Sequence, residues 1–153
     1  MLSKTNKRQN GFTIIEVLIV LAIAGLIMLI VFLAVPALQR NARNTQRRND
    51  VAAILGGASE FVNNNNGSLP TGFDGTTSKV TGATGTNSAP VKLGYYTPGN
   101  VSFGTSAPSD TDHVVVVTGY TCNSTGTGLG STNTRGIVAL YMAEPNANLC
   151  QGS

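Results

Sequence analysis

Few of the 153 residues are of types that do chemistry, and they are unevenly placed. Glu16 stands at the mouth of an apolar run. Phe12-Thr13-Ile14-Ile15-Glu16 leads into Val17 to Val35, nineteen residues without a polar side chain. A carboxylate there either marks the interfacial end of a membrane span or awaits a cation from another chain. Cys122 and Cys150 are the only cysteines, and they are either bridged or two buried thiols. His113 is the sole histidine, which excludes a His-rich metal site. Asp110-Thr111-Asp112-His113 could hold a cation in principle, but reads more simply as a solvated strand entry. Gly126, Gly128 and Gly130 follow a strand pattern but open no helix, so Asn123 to Arg135 is expected to be a flexible hairpin loop rather than a phosphate cradle. No G-x-S-x-G occurs, and no catalytic set or cofactor site emerges. Arg40, Arg43, Arg47 and Arg48 share roughly one helical face. They are expected to form a solvated band facing lipid headgroups, with acids of neighbouring subunits as alternative partners. Without interleaved aromatics, DNA is a weakly supported partner for them.

The elements that position these residues follow from periodicity. A helix of nineteen residues spans roughly 28 Å, close to the hydrocarbon thickness of a bilayer, so membrane insertion is expected. The run is longer than an ordinary secretory signal and ends at Pro36 without an A-x-A site. Basic residues flank it on both sides, so the positive-inside rule is nearly balanced. Beyond it, Val51, Ile54, Leu55, Ala58, Phe61 and Val62 recur on one helical face. Gly56-Gly57 is expected to face away from most of that stripe. The run Asn63 to Gly67, then Leu69-Pro70, ends the helix. One helix from about Phe12 to Val62 is the economical reading.

Residues 63–153 are rich in Gly, Ser, Thr and Asn. His113 to Tyr120 and Gly136 to Met142 read as strands, with Val91-Lys92-Leu93 or Val101-Ser102-Phe103 as edge strands. Thr71 to Pro90 reads as a loop. The sequons at Asn66, Asn100 and Asn123 serve as surface markers only. The expected fold class is α+β: a long N-terminal helix, half transmembrane, packed by its C-terminal half on a small antiparallel β-sheet head. The expected segments are a basic leader 1–11, an apolar helix 12–36, the amphipathic half 37–62 and a β head 63–153.

Charge sharpens this division. Ten Lys and Arg against seven Asp and Glu give +3 and a pI near 9.1, but only 11% of residues are charged. That is too sparse for a nucleic-acid module. Lys4, Lys7 and Arg8, without an acid, account for the whole excess; the remainder sums to zero.

A short basic leader ending in Gly11, then Phe12-Thr13-Ile14-Ile15-Glu16 and a long apolar run, resembles the class III signal and N-terminal helix of bacterial type IV pilins and the pseudopilins of type II secretion. The resemblance covers about residues 1–40. It implies cleavage between Gly11 and Phe12 by a prepilin peptidase and methylation of the new Phe12 amine. It also implies that Glu16 pairs with that amine on a neighbouring subunit. Gly25 stands where the family often has a helix glycine, and Pro36 lies about three residues beyond its commonest proline, so these two are the expected kink positions. The resemblance also favours a Cys122–Cys150 disulfide in an exported, oxidising setting.

The implied function is structural rather than enzymatic. The processed subunit would wait in the inner membrane among lipid, then join a helical homo-oligomeric filament at the cell surface. A membrane assembly platform and a motor ATPase would drive this, and adhesion, twitching motility or DNA uptake would follow. The rivals are a pseudopilin of a secretion or competence system and a monomeric anchored binding protein.

Overall fold

The computed structural model describes residues 11–83 and 86–153; the leader residues Lys4, Lys7 and Arg8 lie outside them. The chain divides into two compact units, one through Gln39 and the other from Arg40 to Ser153. Helix α1, Ile14–Asn64, contributes to both. Pro36 lies inside it, with helix assigned on either side. In the first unit every side chain from Gly11 to Gln39 is exposed. The helix stops where Asn66 and Gly67 take positive φ (55° and 84°) and the Gly67 N–H bonds Val62 O at 2.9 Å. The Asn-Gly pair supplies the left-handed residues that such a stop requires.

In the second unit α1 buries Val51, Ile54, Leu55, Ala58 and Phe61, as the stripe predicts. They meet Val80, Val101, Val114, Val116, Ile137, Ala139 and Tyr141 from the strands. Each fully buried aliphatic or aromatic side chain contributes about 1.5–3 kcal/mol, so this layer holds the helix to the head. Gly57 departs from expectation. It faces inward, and a Cβ there would lie 2.5 Å from Val91 Cγ2, while Gly56 faces open space. The glycine pair straddles the stripe's edge, and only Gly57 is needed for close approach.

The head contains two sheets among the described residues rather than one antiparallel sheet. β1 (Gly72–Asp74), β2 (Lys79–Thr81) and β3 (Ala89–Pro90) form an antiparallel sheet within the stretch expected to be a loop. These strands are two or three residues long, too short for alternation to register in the sequence. The second sheet runs β4 (Val101–Phe103), β5 (Val114–Cys122), β6 (Leu129–Ala143) and β7 (Ala147–Gly152). β4 and β5 are parallel, and the other pairs are antiparallel. Of the two candidate edge strands, Val101-Ser102-Phe103 is one and Val91-Lys92-Leu93 is not.

The Asn123–Arg135 stretch is also more ordered than a flexible loop: Leu129 to Arg135 belong to β6. The β5–β6 ribbon is interrupted midway. Thr118 pairs with Ile137, but the next pair is Tyr120 with Thr132. Gly119 takes φ 85°, and a Cβ at Gly136 would meet Tyr120 O at 2.2 Å. Both glycines are therefore required at the break. Beyond it the ribbon doubles back. Val115 pairs with Leu140, and Leu140 with Cys150. Seven residues of straight strand would carry Cys122 about 23 Å beyond Val115. Yet Cys122 and Cys150 are 5.6 Å apart at Cα and joined by a disulfide. The folded-back hairpin covers a second apolar layer, Val115, Val117, Val138 and Leu140, on the face away from α1.

Candidate functional site

The N-terminal residues form a capped helix start. Thr13 precedes the first helical residue, and Glu16 lies three positions on, the T-x-x-E spacing of a capping box. Glu16 Oε2 accepts from the Thr13 N–H at 2.8 Å and from Thr13 Oγ1 at 2.7 Å. The Thr13 hydroxyl oxygen in turn accepts from the Glu16 N–H at 3.4 Å. Both bonds fall on one carboxylate oxygen. Oε1 takes no donor among the described residues. Gly11 and Phe12 lie before the helix, and Phe12 is 89% exposed. Gly25 meets nothing within 4 Å of a built Cβ, so nothing among the described residues calls for a glycine there.

The arginines behave differently from the expected solvated band. Arg40 and Arg48 are exposed, but Arg47 is 1% exposed and Arg43 is half-buried. Arg43 grips Glu144 with two bonds, Nε to Oε1 and Nη2 to Oε2, both 2.7 Å. Arg47 adds Nη2 to the same Oε1 at 3.0 Å, donates Nε to Thr111 O at 3.0 Å, and donates to the Tyr95 hydroxyl. Its guanidinium carbon lies 4.4 Å from the Tyr95 ring centre. Asn44 meets the backbone of Glu144 in both directions, at 3.0 and 2.9 Å. A buried arginine persists only when its nitrogens find acceptors, and here each of the three has at least one, Nη1 through Asn44 Oδ1 at 2.9 Å. The band is thus broken by one carboxylate, Glu144, that draws two of its four members inward.

Asp50, absent from the expected site residues, completes this polar face. It is 5% exposed and accepts from three successive backbone N–H groups: Gly94 at 2.8 Å, Tyr95 at 2.7 Å and Tyr96 at 2.8 Å. Arg43, Arg47, Asp50, Ile54, Ala58 and Phe61 follow helical spacing, so the polar clasp continues the apolar stripe by two turns. That spacing is the signal that could have revealed it. Asp110 and His113 flank Thr111 and Asp112, which Arg47 and Tyr95 engage, and their side chains pair at 2.6 Å, each 48% exposed.

The two arginines, Arg43 foremost, pull the Glu144 carboxyl down to about 2. Burial pushes the Tyr95 phenol up, aided by its hydrogen bond to Asp112. A carboxyl lowered on folding stabilises fully above its unfolded value near 4.5, and that stabilisation is lost as pH falls toward 2. Glu144→Gln should therefore melt below wild type at neutral pH, with the gap closing between about pH 4.5 and 2. Thermal melts of the full chain in detergent across that range check this. A gap independent of pH would contradict it.

A 51-residue helix whose apolar stretch is long enough to cross a membrane and wholly exposed, opened by a carboxylate, defines an anchored-helix protein with a β-rich head. Residues 6–32 match the family described as the prokaryotic N-terminal methylation motif, so the chain carries the class III signal of type IV pilins and pseudopilins. That motif implies processing by a prepilin peptidase and assembly into filaments. Neither the curated proteins nor the solved structures give a match. Cys122 and Cys150 are joined by a disulfide.

Proposed function

We propose that this chain is a structural subunit of a type IV pilus. It is cleaved between Gly11 and Phe12, methylated on Phe12 and polymerised through its apolar helix. The observation that carries this reading is the wholly exposed run behind Glu16, most of which lies in the matched motif and which has no cover among the described residues. In the inner membrane lipid supplies that cover; in a filament the helices of neighbouring copies do. Transfer between them costs little, because one apolar contact replaces another. Glu16 Oε1 is the acceptor for the Phe12 amine of a neighbouring copy. Gly25 and Pro36 are the weak points of the helix: glycine adds backbone freedom, and proline removes an N–H donor. The platform and motor ATPase supply the work of extraction, and adhesion, twitching or DNA uptake follows from the filament. Pseudopilins share the N-terminal signal; the long, disulfide-stapled, hydroxyl-rich head favours the pilus.

Mass spectrometry of sheared surface filaments tests the reading. The expected result is this chain as the main component, its first peptide starting at Phe12 and carrying one methyl group. Recovery only as a membrane monomer would overturn it.

A further inference from the structure

The parallel pairing of β4 and β5 has a chemical consequence. A parallel connection must return along the strand, and here residues 104–113 do so without a helix. The returning chain walls a cleft of about 380 Å³ beside the sheet face that carries Ser102 and, paired with it, Val115. Ala107 and Pro108 add apolar surface, and Ser106 and Ser109 add hydroxyls, while the Phe103 side chain packs on the opposite sheet face against the α1-side core. Asp110 and His113 stand at the cleft as a pair. The His113 Nδ1 and the Asp112 N–H both engage Asp110 Oδ1. Asp110 Oδ2 and His113 Nε2 have no partner among the described residues.

The lining selects a ligand class. No Lys or Arg lines the cleft, so a phosphate or other anion has no counter-charge. No cluster of three metal-ligating side chains occurs among the described residues. What remains is a carboxylate oxygen, an imidazole nitrogen and several hydroxyls around a small apolar floor. Those groups match vicinal hydroxyls on one face and C–H groups on the other, and the volume falls in the range of small-molecule sites. We propose that this cleft binds a neutral saccharide, with Asp110 and His113 as its polar anchors and Val115 beneath it. The proposal stands apart from filament assembly, since none of these residues belongs to the helix.

Saturation-transfer NMR on the full chain in detergent micelles tests it, with lactose and N,N′-diacetylchitobiose as probes. These separate a galactose-terminated ligand from an N-acetylglucosamine-terminated one. The expected result is millimolar binding of at least one disaccharide. Asp110→Asn should weaken it about tenfold, the loss of one charge-assisted hydrogen bond. Because Asp110 also ties the loop, Ser102→Leu serves as a second variant: it fills the floor from an exposed strand position and should abolish binding. Arg135→Ala, outside the cleft, should bind as wild type. No transfer from either disaccharide at millimolar concentration would overturn the proposal. So would binding unchanged in both cleft variants.

Discussion

Glu16→Ala should abolish surface filaments while the chain is still cut after Gly11 and retained in the membrane. Electron microscopy of sheared material and the mobility of the processed band read the two outcomes separately. The reason lies in how the carboxylate is shared. One oxygen closes the capping box with Thr13, and the other is left for a partner. Alanine removes both functions, so it alone cannot say which one matters. Glu16→Gln separates them. A glutamine still completes a capping box, because its side-chain oxygen accepts the same donors, but it offers no charge to an amine. If the intersubunit ion pair sets the stagger, Gln and Ala both fail to assemble. If helix capping alone matters, Gln restores filaments and the pairing is wrong. Normal filaments from Glu16→Ala would remove the carboxylate from assembly altogether.

The largest effect on stability is expected at Asp50. Its carboxylate is the common acceptor for three consecutive backbone donors, and it is nearly buried. Asp50→Ala strands those N–H groups at the edge of the core, at a cost of about 3 kcal/mol or more. For a unit of this size that lowers Tm by roughly 10 °C. Asp50→Asn keeps one acceptor oxygen in nearly the same shape and should fall between alanine and wild type. Near-ultraviolet circular dichroism during thermal melts gives the order. An alanine variant that melts with wild type would show that water replaces the carboxylate without loss.

What the sequence reveals of this molecule is what is local. The apolar run, Glu16 and the Val51-to-Phe61 stripe are each legible because helical periodicity places their side chains relative to one another. The orientation of Gly57 is not, because it sits one position from the stripe's edge. The arginines show the same limit from the side of charge. Four like charges on a helix read as a solvated band until a partner is known, and Glu144 lies 101 residues from Arg43. Nothing in local spacing announces that contact. The parallel β4–β5 pair and the doubled-back ribbon are likewise non-local. Their only sequence traces are glycines: Gly119 and Gly136 stand at the bend, in a chain with eighteen to choose from.

That bend has a consequence for crowding. In the proposed inner-membrane store, subunits held in one plane would collide edge to edge far more often than in free solution. An open strand edge under those conditions would recruit neighbours into unplanned sheets. Here the turn of the folded ribbon reaches the outer strand, and Gly126 O already takes the Cys150 N–H at 2.7 Å. The disulfide beside that bond keeps it closed. A head colliding sideways with another therefore meets a blocked edge there. In the proposed filament, association is then left to the helix, where order can be imposed.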